Sequence, residues 1–202
     1  MSPPPENPSD AIGLAKRELR ARCRSLRQDL GEPYRAQASR LICDHLHAFQ
    51  SFLSARVVFT YLPMRGEVDV QPLMSFVPHV RWAIPRVVDS PALHLSFHAY
   101  RPDRLVRHSY GMLEPDPSLP EVAVEEANLI IVPGLGYTRR GYRLGYGGGY
   151  YDRLLAAAGP AITIGVCFEA LVLEDLPRAA HDVPVAYLAT EDRGVVPCAD
   201  LA

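Results

Sequence analysis

The sequence predicts an α/β sandwich around a mostly parallel sheet. Short apolar runs rich in β-branched residues, at Val57–Leu62, Val80–Ile84, Leu129–Val132 and Ile162–Phe168, alternate with stretches of helical period. From residue 129 the order is strand, glycine-rich loop, helix, strand, which is a βαβ unit. The chain has 202 residues, 48% of them hydrophobic. That suffices for one sizeable core and is short for two full domains.

Residues 1–9, rich in Pro, Ser and Asn, read as a disordered tail, and residues 10–202 as one domain. Asp10 is a candidate N-cap for a helix running to near Asp29. Its apolar positions Ile12, Ala15, Leu19, Cys23 and Leu26 form one stripe. Pro33 suits the first turn of a second helix, reaching about Gln50, with Leu41, Ile42, Leu46 and Phe49 as core face. After the strand at Val57–Leu62 comes a loop and a helix from Asp69 to about Val77. Val80–Ile84 reads as a strand, and Leu93–Tyr100 alternates like a half-exposed one. Residues 101–121 are turn-rich, with Pro102, Pro115, Pro117 and Pro120. The buried strand Leu129–Val132 ends at Pro133-Gly134. The helix after the glycine loop reaches about Ala158 and is closed by Gly159-Pro160. Ile162–Phe168 and Val185–Leu188 complete the strands, with no internal repeat and no domain linker.

Composition excludes several classes of function. A formal net charge of −2 gives no global field for nucleic acid or anionic membrane. Positive charge is local: Lys16, Arg17, Arg20, Arg22, Arg24 and Arg27 crowd the first helix, and Arg139, Arg140 and Arg143 precede the glycine loop. Cys23, Cys43, Cys167 and Cys198 form no CxxC pair and no metal-ligand spacing, so reduced thiols in a cytoplasmic protein are expected. The start, MSPPPENPSD, has neither the basic nor the apolar part of a signal peptide. No run approaches the roughly 18–20 apolar residues of a membrane span. Neither a nucleic-acid nor a membrane partner is expected, and a monomer is.

The most informative stretch is Arg143–Leu155, RLGYGGGYYDRLL. A glycine loop opening a helix lets backbone N–H groups converge on an anion at the helix's positive end. It fits neither GxxxxGK[ST] nor GxGxxG, since Gly145 and Gly147 are followed by Tyr150 where the last glycine should stand. A glycine cluster alone is more often a tight turn than a ligand site. Its company argues otherwise: arginines precede it, and Tyr150, Tyr151 and Asp152 follow. Asp152 suits a Mg²⁺ between acid and phosphate, and equally a first-turn acid that complements the helix dipole. A helix N-terminus contributes about 0.3–1 kcal/mol, against roughly 8 kcal/mol for micromolar binding. The loop therefore needs cationic partners and a metal to hold a nucleotide.

Lys16 and Arg20 lie at i and i+4, either on a solvated basic face or as a clamp on polyphosphate. In LPMRGEVDV, Asp69 reads as the cap of the next helix. Glu67 is harder to explain as a cap and could hydrogen-bond an amino-pyrimidine type of ring. His181-Asp182 looks like half of a metal phosphohydrolase motif, but no further His/Asp cluster accompanies it. There is no GxSxG and no cysteine with a clear histidine partner.

Assembled, these residues resemble the 5-formyltetrahydrofolate cyclo-ligase family, over about Lys16 to Val196. KRELR resembles the family's N-terminal Lys/Arg motif, YLPMRGEVD its folate-side segment and YGMLEP its G-I-x-E-P stretch. VPGLGYTRRGYRLGYGGGYYDRLL resembles its signature, and HDVPV its C-terminal motif. The resemblance implies a three-layer α/β/α Rossmann-like sandwich. It also implies ATP- and Mg²⁺-dependent closure of 5-formyltetrahydrofolate to 5,10-methenyltetrahydrofolate, releasing ADP and phosphate. By position, Lys16, Arg17 and Arg20 would meet the ATP phosphates, with Lys16 and Arg143 the catalytic cations. Arg143, Leu144, Gly145, Tyr146, Gly147, Gly148, Gly149, Tyr150 and Tyr151 would form the nucleotide loop. Leu62, Glu67 and the segment Tyr146–Tyr150 would contact the folate, and Asp152 and Asp182 the metal.

Three departures stand out: Ala186 where the family often has Asp, Thr138 where Asp is common, and Tyr146 where Arg is frequent. A retargeted binding module would be expected to have lost some of Lys16, Glu67, Arg143 and Asp152, yet all are present. A sugar-phosphate isomerase needs a positioned carboxylate base; Glu67 could be one, but nothing pairs with it.

Overall fold

The helical period of the first fifty residues folds into two helices. The structure, a computed structural model, describes residues 8–77, 79–88, 94–109 and 111–198. Helix α1 (Pro8–Asp29) begins two residues before the expected cap at Asp10. Proline is tolerated in a first turn, where an N–H would have no partner. Pro8 and Ser9 are therefore helical, contrary to the expected tail, whose residues 1–7 lie outside the described ones.

Helix α2 (Glu32–Ala48) stops short of Gln50 because Phe49 is extended (φ −77°, ψ 121°), and a separate turn, α3 (Gln50–Leu53), follows. Its core face is Ala38, Ser39, Ile42, Cys43 and Leu46; Leu41, expected inside, is 41% exposed.

Strand β1 (Val57–Phe59) is shorter than expected. Thr60 N–H still donates to the Ala83 carbonyl of the next strand at 2.9 Å, after which the chain leaves the ladder, and the Tyr61 hydroxyl donates to the Val68 carbonyl at 2.6 Å. Helix α4 (Gln71–Phe76) starts late because Asp69 Oδ1 accepts the Gln71 N–H at 3.0 Å. β2 (Arg81–Val88) and β3 (His94–Ala99) pair antiparallel. Leu93, placed in this strand from the sequence, lies outside the described residues. The turn-rich stretch contains an unforeseen hairpin, β4 (Leu105–Arg107) and β5 (Leu113–Pro115). β6 (Leu129–Pro133) is buried at every position. β7 (Gly136–Thr138) and β8 (Arg143–Leu144) then form a small ribbon before α5 (Tyr150–Ala157). β9 (Ile162–Val166) follows, then β10 (Val172–Leu173), which joins the ribbon. The last expected strand is shifted by two residues to β11 (Tyr187–Thr190), and β12 (Gly194–Pro197) was not anticipated.

The central sheet has seven strands in the order β12-β11-β9-β6-β1-β2-β3. β2, β1, β6, β9 and β11 are mutually parallel, and β3 and β12 close the edges antiparallel. The α/β class and mostly parallel sheet are as the sequence predicts. In chain order the parallel strands run second, first, third, fourth, fifth, so the winding reverses between β1 and β6. That is the switch point outside which ligands bind in such sheets. Helix α2 packs on β11 and β12, and α5 against β3. Tyr137 fills one face of the sheet: it is fully buried, and its hydroxyl donates to the Val132 carbonyl at 2.8 Å. The ring has room only because two neighbours lack side chains. A Cβ on Gly165 would lie 2.4 Å from the ring and one on Gly134 2.6 Å.

Candidate functional site

Both strands at the switch point end against one cavity of about 590 Å³. Residues 60–67 leave β1 along one wall, and Pro133 ends β6 at its floor. β8, the glycine loop and the start of α5 form a second wall, α1 a third, and β2, β3 and β5 the rest.

One end is cationic. Lys16 and Arg20 reach it from α1 and Arg143 from β8. Lys16 Nζ lies 2.5 Å from Asp182 Oδ2, which also accepts the Ala179 N–H at 2.7 Å. Arg143 Nη2 donates to Asp152 Oδ2 at 3.0 Å, while its buried Nε has no hydrogen-bond partner. Arg20 Nε donates to the Gly145 carbonyl at 2.8 Å, tying α1 to the loop. Burial first, and then the guanidinium groups of Arg24, Arg143 and Arg17, push Arg20 below its ordinary pKa. Cations gathered against their own repulsion are matched to a polyanion. The loop takes its shape from Gly147 (φ 116°) and Gly149 (φ 65°), the latter at the N-cap of α5. Side-chain-bearing residues rarely adopt either conformation.

The other end is apolar around one acid. Leu62, Ile84, Val87, Leu95, Met112 and Leu113 line it. Glu67 is 8% exposed, and burial raises its carboxyl pKa against the opposing pull of Met64 N–H, Tyr146, Arg27 and Arg65. Its Oε2 accepts the Met64 N–H at 3.1 Å and its Oε1 the Tyr146 hydroxyl at 2.8 Å. An ionised carboxylate has about four acceptor positions, so about two remain for a ligand. Burial, then Glu67, pushes the Tyr146 hydroxyl up to about 12.

The sequence-predicted residues converge. Leu62, Glu67, Lys16, Arg20, residues 143–151, Asp152 and Asp182 all line this cavity. Arg17 does not: it is exposed on the outer side of α1. Two contributions went unforeseen. One is the apolar wall from β2, β3 and the hairpin; YGMLEP resembles a family stretch but was given no place in the site, and its Tyr110 lies outside the described residues. The other is Arg27, 3% exposed, which donates to the Tyr146 hydroxyl at 3.0 Å and to the Gly134 carbonyl. Its helical spacing from Lys16 and Arg20 was the available signal.

Fold and cavity define an α/β protein with a cationic end and an acid-bearing apolar end in one pocket. Residues 13–191 match the model of the 5-formyltetrahydrofolate cyclo-ligase family. The chain belongs to that family. It is 36% identical over 151 residues to 5-formyltetrahydrofolate cyclo-ligase of Mycolicibacterium smegmatis, covering 71% of this chain and 78% of the relative. The Escherichia coli K12 relative of the same name is 27% identical over 87% of this chain and 97% of its own. Among solved structures, 5,10-methenyltetrahydrofolate synthetase of Aquifex aeolicus superposes with a TM-score of 0.80 at 34% identity, covering 93% of this chain and 94% of that one.

Proposed function

We propose that this protein closes 5-formyltetrahydrofolate to 5,10-methenyltetrahydrofolate, consuming ATP and releasing ADP and phosphate. The observation that carries the reading is the two-ended cavity. A polyphosphate suits the end held by Lys16, Arg20 and Arg143, and a donor-rich pterin suits Glu67 in its apolar surround. The two ends are contiguous, so the terminal phosphoryl group of one substrate can face the formyl group of the other.

The formyl oxygen is a poor leaving group as it stands. It attacks the γ-phosphorus, the bond to ADP breaks, and an iminium-like phosphate ester results. N10 then attacks the formyl carbon, phosphate departs with the C–O electrons, and the N10 proton is lost. Phosphoryl transfer depends on alignment and charge stabilisation and needs no protein nucleophile. Lys16 and Arg143 stabilise the charge on the transferring group, and the N–H groups of residues 145–149 orient it. Glu67 orients the pterin, and the tyrosines beside the loop supply stacking surface.

Mg²⁺ fits as a nucleotide-borne ion. Among the described residues no group of three or more His, Cys, Asp and Glu side chains forms a protein cage. Mg²⁺ commonly takes one or two carboxylates with phosphate oxygens and water, and Asp152 and Asp182 line the cationic end. When bound it would neutralise charge on the β- and γ-oxygens. Arg17, outside the cavity, would act on the nucleotide only through its long-range field.

We further propose that residues 10–202 act as one domain and that the protein is a cytoplasmic monomer. Four unpaired, buried cysteines support the compartment. No helix of the described residues is long and apolar enough to cross a membrane.

The test is to mix protein, 5-formyltetrahydrofolate, ATP and Mg²⁺, and to follow methenyl absorbance and ADP together. The expected result is equimolar appearance of both, abolished when either substrate is omitted. ADP without methenyl product would assign another acceptor.

A further inference from the structure

Arg27 has no part in the chemistry above, yet it is buried at the join between the two halves of the site. Its Nη2 donates to the carbonyl of Gly134, at the switch point, and its Nη1 to the Tyr146 hydroxyl at 3.0 Å. A guanidinium has no acceptor, so the phenol oxygen must accept here and its hydrogen is free to point elsewhere. It points to Glu67 Oε1 at 2.8 Å. The chain of bonds is therefore directional, guanidinium to phenol to carboxylate, and is strongest when Glu67 is ionised.

The groups facing Glu67 can be named from every side. Its own loop supplies the Met64 N–H and Arg65, the glycine loop Tyr146, and α1 Arg27. Tyr61 beyond β1, buried, and Tyr151 on α5, half-buried, also face it. Only Arg27 and Arg65 are cations. Arg65 is exposed, so solvent screens its charge; Arg27 is buried and is screened far less. After the bonds from the Met64 N–H and the Tyr146 hydroxyl, the nearest support for a charged acid at this depth is thus a buried cation on another helix, one that also holds the Tyr146 hydroxyl in place.

We infer that Arg27 is a positioning residue for substrate recognition, acting through Tyr146 to keep Glu67 ionised and aimed into the cavity, so that its remaining acceptor positions receive the N–H groups of a donor-rich heteroaromatic ring. This rests on the folate reading above. It makes the acid end of the cavity depend on α1, the helix that also supplies the phosphate-end cations Lys16 and Arg20.

The experiment uses the full chain with Arg27→Met, Arg27→Lys and Tyr146→Phe, measuring kcat and both KM values over about pH 6–9. Arg27→Met is expected to raise the KM for 5-formyltetrahydrofolate roughly tenfold or more at neutral pH while the KM for ATP moves less than about twofold. As pH falls, its folate KM should begin to deteriorate at higher pH than in the wild type. Arg27→Lys should recover part of the loss, and Tyr146→Phe should reproduce the folate effect. A variant with only a lower Tm, both KM values moving together and a pH profile superimposed on the wild type would overturn the inference. If Arg27→Met does not fold, Tyr146→Phe decides alone, and an unchanged folate KM and pH profile rejects the proposal. A wild type that forms no methenyl product is a different outcome: it rejects the folate reading on which this one stands.

Discussion

Lys16 and Asp182 are 166 residues apart in the chain, and their charged atoms meet at 2.5 Å on the lip of the cavity. Both side chains are largely buried there, at 12% and 8% exposure. The pair joins α1 to the segment before β11, so the cationic end of the cavity exists only when the two ends of the fold come together. It also holds Lys16 in place before any anion arrives. Lys16→Met is expected to lower kcat/KM for ATP by about 10- to 100-fold, the value of one hydrogen bond to a charged group. Lys16→Arg should retain part of it. Steady-state kinetics at varied ATP and saturating folate check this; an unchanged kcat/KM would remove Lys16 from the phosphate site.

Asp152 stands in the first turn of α5 and pairs with Arg143. If it also serves the metal, Asp152→Ala loses turnover even at high Mg²⁺. If it only holds Arg143 or complements the helix dipole, the loss is partial and independent of Mg²⁺ concentration. A titration of activity against Mg²⁺ separates the two, and near-normal activity would exclude a metal role.

Glu67 predicts a trade between stability and recognition. Its folded pKa is raised above the ordinary carboxylate value, chiefly by burial. An acid with a raised folded pKa favours the fold when protonated; that stabilisation is complete below its unfolded pKa and is lost as pH rises through the folded one. At pH above neutral the ionised side chain therefore burdens the empty protein. Glu67→Gln is expected to raise the Tm of the ligand-free protein at about pH 8, with the difference shrinking as pH falls toward the ordinary carboxylate range. The same variant should lose folate binding. Thermal melts across pH, beside the folate KM, check both; a lower Tm at every pH would refute the charge argument.

Gly165 on β9 is packed against Tyr137 so closely that a Cβ would lie 2.4 Å from the ring. Tyr137 in turn is pinned by its bond to the Val132 carbonyl and is fully buried, so it has little room to yield. Gly165→Ala should cost about 1–3 kcal/mol by overpacking, or roughly 2–4 °C of Tm for each kcal/mol. Denaturant melts at constant m-value would test it. An unperturbed midpoint would show that the ribbon beneath the sheet can move.

The glycine loop, Asp152, Lys16, Arg20 and Glu67 could be marked as candidates in the chain because each sits in a short motif, and the fold brings them to one cavity. Arg17 shows the limit of such patterns. It lies beside Lys16 in the same basic cluster, yet a step of one residue along a helix turns a side chain about 100° away, and it faces solvent. Leu41 likewise fell outside the core face despite a plausible spacing, since the sheet is covered by its neighbours Ala38, Ile42 and Leu46. The hairpin β4–β5, the ribbon β7–β8–β10 and β12 were missed because strands of two to four residues carry too little periodicity to register.

Tyr146 shows the same division within the site. As a sequence feature it was a tyrosine in the glycine loop; in the fold it is the link between Arg27 and Glu67. Periodicity, glycine placement and the run of βαβ elements were enough to establish the fold class and one wall of the pocket, because these depend on neighbours within a few turns of chain. The pairing of Lys16 with Asp182, the burial of Arg27, the apolar wall from β2 and β3, and the union of two half-sites at the switch point between β1 and β6 required the folded chain. Each joins segments distant in sequence, and contact across such distances arises from how the strands order themselves in the sheet, which no local spacing encodes.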